Sequence, residues 1–456
     1  MAKFKRTFKM RKEKKLSKNF DPQILTIDYI GSRGEGVAKL FTEIDYKEQN
    51  YNFFVPFSLP NELILAKPTY LSSEGVRAEL IELKQLSPDR VEPKCKHFFK
   101  CGGCTLQHWN FKNYNSWKSK KVSSQIKIIS SDGEIKEMLV SSLKSRRHAK
   151  FVAKKTKLGT IIGFYEYKSH FISEIDECLI LDDQLTNLIK EIKAPISKIL
   201  RVGQTINIHA NVLDHGIDLL IDGIDKIPYK ELTKFNEAMM KTNVIRLNRS
   251  QLNHPNDLLF IKENISLSNH VYSSKIFPPP GSFLQATIDG ENAIINTVIK
   301  GLEKTNKKKL VCELFSGCGT ITIPLLSKGY TINAYEIDDK SINAINIASK
   351  RQGYGNKVIT QSRNLKSNPL TSEELKKFNA IIIDPPRSGA RSQFLNITLS
   401  KVPVVISISC NINTFVRDAK ILIENNYQLK WVQPIDQFLF SPHVEIVSLF
   451  ELNLVN

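Results

Sequence analysis

Three groups of residues in this chain have the types and spacing to do chemistry. The first is a thiol: Val404-Val405-Ile406-Ser407-Ile408-Ser409 is an apolar, β-branched run that ends on Cys410-Asn411. It reads as a buried strand delivering Cys410 to its C-terminal end, which is where ligands bind in an open α/β sheet. The second is a carboxylate: His443-Val444-Glu445 opens the apolar run Ile446-Val447-Ser448-Leu449-Phe450, placing Glu445 at the start of a last strand as a candidate general base. The third is a thiol cluster, Cys95-x5-Cys101-Gly102-Gly103-Cys104, whose glycines let three sulfurs turn toward one centre. Cys178 is the remaining cysteine outside the C-terminal region, and four thiolates suit a tetrahedral zinc or an iron–sulfur cluster. His97 and His108 stand nearby as replacement ligands.

The elements around Cys410 alternate between strand and helix after the breaker cluster Phe277-Pro278-Pro279-Pro280-Gly281. Lys309 to Phe315 reads as a strand, Gly317-Cys318-Gly319 opens a helix, and Thr331 to Glu336 reads as a second strand ending on an acid. An acid there accepts hydrogen bonds from ribose hydroxyls, and the glycines let backbone approach a cofactor. Thr322 occupies the place of the third glycine that a pyrophosphate would need, so the loop favours S-adenosylmethionine over a dinucleotide. Asn379 to Asp384 is a further strand, running into Pro385-Pro386-Arg387. Amino-methyltransferases follow such prolines with an aromatic that grips adenine; Arg387 argues for different base chemistry. A thiolate attacks well and leaves well, so Cys410 suits transient covalent addition to a substrate ring, with Glu445 as the carboxylate that removes a proton.

The rest of the chain reads as support for a polyanionic substrate. The formal net charge is +19, and Met1 to Phe20 alone carries nine Lys or Arg against one Glu. That balance points to RNA or DNA, held by contacts that weaken steeply with salt. No apolar run reaches the ~18 residues of a membrane helix, so a cytoplasmic protein is expected. Residues 21–90 contain short apolar runs separated by Pro and Ser around Gly31-Ser32-Arg33-Gly34-Glu35-Gly36, the pattern of a small barrel of about five strands. Asn113 to Ile129 reads as an amphipathic helix with a basic face, and Lys144 to Lys150 opens a β-rich stretch.

Taken together these stretches resemble the uracil-C5 RNA methyltransferase family, over most of the chain from Asp21 onward. Gly34 to Ala38 with Phe54 to Phe57 and Leu59 to Glu62 is similar to its TRAM domain, an OB-like RNA-binding barrel. Phe283-Leu284-Gln285, Glu313 to Gly319, Asp384-Pro385-Pro386-Arg387, Ser409-Cys410-Asn411 and His443-Val444-Glu445 match its motifs. The resemblance implies a multidomain α/β fold: a basic disordered tail (1–20), a TRAM barrel (21–90), a central β-rich metal-binding domain (91–285) and a C-terminal Rossmann-like, S-adenosylmethionine-dependent methyltransferase domain (286–456). It further implies that Gln285, Phe315, Thr320, Glu336, Asn364 and Asp384 line the S-adenosylmethionine pocket, with Cys410 the nucleophile and Glu445 the base. Cys95, Cys101, Cys104 and Cys178 would hold a [4Fe-4S] cluster of structural or RNA-orienting use, with zinc as the alternative. Arg146 and Arg147 would contact phosphates. The implied activity is methylation of a uridine in 23S rRNA by a monomer needing no protein partner. A tRNA uridine is the alternative; a cytosine-C5 or other base methyltransferase and a non-enzymatic RNA-binding protein are further ones. Thr320, Ser316, Ile412 and Ile446 depart from residues common in the family, without removing a group the reaction needs.

Overall fold

The computed structural model describes residues 14–16, 20–44, 47–224, 227, 229–251, 254–303 and 309–453. Two compact units emerge: residues 1–121 with 440–442, and residues 122–439 with 443–456.

In the first unit, alternation of apolar and polar residues builds one seven-stranded sheet. Its order is Lys14–Lys15, Leu63–Ser72, Gly75–Gln85, Lys47–Val55, Gly36–Ile44, Tyr29–Ile30, with Gln23–Thr26 also paired to Leu63–Ser72. The two short strands at Lys14 and Tyr29 take the count beyond the expected five; two residues are too few to leave a periodic signal. Most of the basic tail lies outside the described residues, but Lys14 and Lys15 pair with Leu71 and Tyr70. One core fills the sheet's inner side, formed by Leu25, Ile27, Ala38, Phe53, Val55, Ile64, Ala66 and Val76. The glycine turn is a steric necessity: a Cβ on Gly36 would lie 2.1 Å from Ser58 Oγ, and Gly34 has φ +80°. Glu62 accepts Arg90 Nε at 2.5 Å and Glu35 accepts Arg77 Nη1 at 3.1 Å, so each buried carboxylate keeps a cation. The helix Phe111–Ile126 begins in this unit and contributes Tyr114 to a second small cluster with Ile30, Leu59, Leu106 and Trp109.

Among the described residues the second unit holds two large sheets and a two-stranded hairpin, Asn269–Val271 with Ser274–Ile276. One is a seven-stranded sheet in the order Ile172–Glu174, Gly159–Tyr165, His148–Thr156, Thr205–Leu213, Gly216–Asp222, Val244–Gln251, His254–Ile261. It is tied to the proline cluster by Arg246, whose Nε donates to buried Asp218 at 2.6 Å and whose Nη2 donates to Pro278 O at 2.8 Å.

The other sheet carries the site. We label its strands β1 (Leu310–Leu314), β2 (Thr331–Glu336), β3 (Val358–Ser362), β4 (Ala380–Ile383), β5 (Val404–Ser409), β6 (Tyr427–Asp436) and β7 (Glu445–Leu452). Their order is β3-β2-β1-β4-β5-β7-β6, parallel except for β7, which is antiparallel to β5 and β6. Helix α1 (Ile288–Leu302) precedes β1, and α2 (Thr322–Ser327), α3 (Asp339–Arg351), α4 (Arg391–Ser400) and α5 (Ile412–Ile423) lie between successive strands. The reversal of chain order between β1 and β4 makes a topological switch point. Every residue of β4 and β5 is buried, as expected for strands covered on both faces. Alternate residues feed two cores: Val311, Ile382, Ile406 and Ile408 go to one, Cys312, Leu314, Ile381, Ile383 and Val405 to the other. Glu134–Ile135 and Leu139–Val140, from the stretch assigned by sequence to the central domain, pair in parallel with β6 and extend this sheet. Each is only two residues long and left no pattern to read.

Candidate active site

The four parallel strands β1, β2, β4 and β5 end at one edge of the sheet, and antiparallel β7 starts there. Glu336 is the last residue of β2, Asp384 follows β4, Cys410 follows β5, and Glu445 is the first residue of β7. Ser409 pairs with Ile446 across the antiparallel ladder, so the next step of the register sets Cys410 opposite Glu445. Hence the candidate nucleophile, the candidate base and Asp384 share one edge.

Cys410 is half-buried. Burial raises its thiol most, Glu445 and Asp384 add to the rise, and Arg387 opposes it, leaving the group at about 11. The residue after it, Asn411, caps α5, its side chain accepting from Asn413 N. A helix N-terminus beside the thiol favours negative charge there. The same helix holds the Asp-Pro-Pro-Arg loop. Asn411 Nδ2 donates to Arg387 O at 3.0 Å, Thr414 Oγ1 donates to it at 3.2 Å, and Asp418 accepts Ala390 N at 2.9 Å. Gly389, at φ +71°, has no room for a side chain, since a Cβ would lie 2.3 Å from both Arg417 and Asp418. The loop is thereby fixed with Arg387 donating to the His443 ring at 3.0 Å.

Glu445 is buried, and burial together with Asp384 raises its proton affinity; burial raises Asp384 too. Its Oε2 accepts from Gln437 Nε2 at 3.1 Å, and the same nitrogen donates to Gln285 Oε1 at 2.8 Å. Gln437 Oε1 accepts Ala286 N at 3.0 Å. The sequence singles out Gln285 and Glu445 but not Gln437, which the structure hydrogen-bonds to both. A glutamine eight residues before Glu445 carries no signal until β6 and β7 fold it back.

Around β1 and β2 the backbone is shaped for a ligand. Phe315, Gly317 and Gly319 have φ of +63°, +54° and +94°, and a Cβ on Gly317 would meet nothing within 4 Å. Glu336 is pinned by backbone: its carboxylate accepts Gly317 N at 3.0 Å and Ile337 N at 2.8 Å. Glu313 is fully buried, hydrogen-bonded by Thr322 Oγ1 at 2.7 Å, and raised to about 8 by burial, with Asp384 and Glu336 adding repulsion. A buried Glu313 with Asp384 and Glu336 close enough to repel it makes this end of β1 suit a ligand bearing positive charge, as a sulfonium and an amino group do. Thr320 is half-buried beside Gly319. Asn364 is exposed, on the loop after β3, with its side chain capping Lys366 N at 3.1 Å; the preceding Arg363 N donates to Glu336 O. Gln285 thus faces the Glu445 side of the edge, while Glu336 and the loop carrying Asn364 meet at the end of β2 and Thr320 lies in the turn after β1.

Arg147 corrects an expectation. It is buried and paired with Glu291, so it holds the fold and is not a phosphate contact; the basic run around it, Lys144 to Lys150, concealed that. Arg146 is half-buried, its Nε donating to His148 O at 3.1 Å.

Cys95, Cys101 and Cys104 lie in the first unit and Cys178 in the second, all half-buried. Among the described residues, no three of His, Cys, Asp or Glu converge to hold a metal ion. The donor chemistry nevertheless suits one: Gly103 N donates to Cys101 Sγ at 3.4 Å, and such hydrogen bonds favour ligating thiolates. Just past Cys104, Thr105 Oγ1, Gln107 Oε1 and Trp109 Nε1 are buried without hydrogen-bond partners, which is the mark of an incompletely satisfied polar region. His108 is fully buried against Phe98, and burial, with Arg90 adding, lowers it to about 3.

In the described residues no helix is long and apolar enough to cross a membrane. The profile of tRNA (uracil-5-)-methyltransferases matches residues 221–452. An uncharacterized RNA methyltransferase of Brucella melitensis is 32% identical over 93% of this chain and 97% of its own. One from Halalkalibacterium halodurans is 25% identical over 94% of this chain and 96% of its own. The crystal structure of Pyrococcus abyssi tRNA (uracil-54, C5)-methyltransferase, in complex with S-adenosyl-L-homocysteine, superposes with a TM-score of 0.71 at 21% identity, covering 94% of this chain and 99% of that one. Its likeness establishes a shared fold. With half the chain matched by one profile and nearly all of it by relatives, this chain belongs to the tRNA (uracil-5-)-methyltransferase family and is an S-adenosylmethionine-dependent RNA methyltransferase of the uracil-C5 type.

Proposed function

We propose that this enzyme methylates C5 of one uridine in 23S rRNA through a covalent bond between Cys410 and C6. The observation that supports the reading is the pairing of β5 with β7 through Ser409 and Ile446, next to which Cys410 and Glu445 stand in their strands, with Glu445 and Asp384 both close enough to act on the thiol. The target base is flipped out of its stack, because C6 is inaccessible within one. Cys410 thiolate adds to C6, and the C5–C6 π electrons move onto the C4 carbonyl oxygen. When bound, S-adenosylmethionine supplies an electrophilic methyl group on a positively charged sulfur. C5 takes that methyl, Glu445 removes the C5 proton, and the S–C6 bond breaks to restore the ring and release the Cys410 thiolate. Gln285, Phe315, Thr320, Glu336, Asn364 and Asp384 form the S-adenosylmethionine pocket, with Asp384 also in reach of the base edge. Residues 21–90 serve as a TRAM-type barrel that grips RNA together with the basic tail, residues 91–285 as the central domain and residues 286–456 as the catalytic domain. The protein works as a cytoplasmic monomer.

Total RNA tritiated at C5 of uridine tests this. Tritium passes to water in step with formation of 5-methyluridine, and fractionated 23S rRNA is the accepting species. Acceptance by tRNA alone would establish the second reading, which the family profile and the Pyrococcus abyssi enzyme favour. No release at all would overturn C5 chemistry.

We further propose that Cys95, Cys101, Cys104 and Cys178 hold a [4Fe-4S] cluster that orders this region for RNA. Anaerobically purified protein then contains about four iron and four sulfide per chain, and Cys101→Ser loses both. Stoichiometric zinc without sulfide would replace the cluster by the zinc alternative.

A further inference from the structure

We propose that Gln437 is a positioning residue that decides which atoms Gln285 and Glu445 present to the pyrimidine. Gln285 offers its NH2 group as a donor to a ring carbonyl, and Glu445 offers Oε1 as the proton acceptor. The inference rests on the covalent uracil-C5 reading above.

The argument begins at a group whose polarity is not open to choice. A backbone N–H only donates, and Ala286 N lies 3.0 Å from the Gln437 side chain. The atom facing it must be Oε1, which leaves Nε2 toward Gln285 at 2.8 Å and Glu445 at 3.1 Å. An amide nitrogen has two hydrogens and no acceptor lone pair, so both hydrogens are spent and both partners must accept. Gln285 therefore accepts through Oε1, and the group left to meet a ligand is its own NH2. Glu445 Oε2 already accepts one of those hydrogens, which makes Oε1 the more available oxygen for the C5 proton.

Exposure of 7% for Gln285, 1% for Gln437 and 4% for Glu445 leaves little water to compete for these bonds. A fixed donor pair complements a carbonyl oxygen of uracil and meets the amino group of cytosine donor to donor. A buried polar group left unpaired is the strongest available basis for rejecting a near-isostere. Gln437 is thus placed to act on base choice and on proton removal at once, without touching substrate.

The test compares the parent enzyme with Gln437→Met and Gln437→Glu, using total RNA tritiated at C5 of uridine and, separately, of cytidine. Gln437→Met should lose at least about tenfold in kcat for uridine, with KM for S-adenosylmethionine within about twofold of the parent. Its release from cytidine should rise relative to uridine, and it should still form a covalent adduct with RNA containing 5-fluorouridine. Gln437→Glu keeps an acceptor for Ala286 N, so it decides the matter if the Met variant does not fold. It adds negative charge beside Glu445, and the acid limb of its pH–rate profile should move upward by about one unit. Parent-like kcat and base preference in the Met variant, or a parent-like pH profile in the Glu variant, would overturn the proposal. An inactive parent would instead overturn the covalent reading, and this inference with it.

Discussion

Cys410→Ala abolishes methyl transfer while the protein still binds RNA and S-adenosylmethionine. Removing a covalent nucleophile costs on the order of 10³-fold or more, because no neighbouring group can take over bond formation at C6. The change deletes one half-buried sulfur at the end of β5 and leaves every hydrogen bond that fixes the Asn411–Arg387 loop. Folding and binding should therefore survive, which calorimetric titration with S-adenosylmethionine and RNA gel shifts would show. The pH dependence adds a second reading of the same residue. The reactive species is the thiolate, and burial, with Glu445 and Asp384 behind it, holds the thiol at about 11. Below that value the thiolate fraction grows about tenfold per pH unit, so adduct formation with 5-fluorouridine RNA should accelerate as pH rises from 6 toward 9 (a range of about three units). Binding of a cationic methyl donor and the α5 N-terminus both pull in the opposite direction, lowering the thiol and shifting that rise toward neutral pH. Turnover in Cys410→Ala at the parent rate would remove the covalent mechanism.

What was legible in the sequence follows from what each segment must bury. Strands β4 and β5 are covered on both faces, so their uninterrupted apolar runs announced them, and with them the positions of Asp384 and Cys410. The glycines of the β1–α2 turn were readable because only glycine tolerates those dihedrals without cost. The acid ending β2 followed from the same unit. Arg147 was misread because charge in a basic run looks like a solvated surface; its pairing with Glu291 depends on α1, more than a hundred residues away. Gln437 was invisible for the same reason. Its three hydrogen-bond partners come from the loop before α1 and from β7, and nothing local marks a glutamine as bridging them. The strands at Glu134 and Leu139 borrow their structure from β6 and have no pattern of their own.

Glu445→Gln separates the two halves of the reaction. The variant should transfer one methyl group and stop, leaving a methylated uridine bound through Cys410, because addition and methylation leave the C5 proton in place whereas elimination must remove it. Gln is isosteric, and its carbonyl oxygen can still accept from Gln437 Nε2 where Glu445 Oε2 does now at 3.1 Å, so the fold and the Gln285 contact persist. Steady-state turnover should fall by roughly 10²–10⁴, the range for loss of a positioned general base. A covalent RNA–protein band carrying labelled methyl should accumulate on denaturing gels, at no more than one per chain. The sign of the pH effect follows from the environment of the carboxylate. Burial, reinforced by Asp384, raises the proton affinity of Glu445, and the base acts only when ionised, so parent activity should be lost as pH falls through a value above that of a surface glutamate. In Glu445→Gln there is no carboxylate to titrate, and whatever elimination remains should lose that limb. Tritium release at the parent rate with no trapped RNA would move the base to Asp384, whose carboxyl is raised by the same burial and stands at the same edge of the sheet.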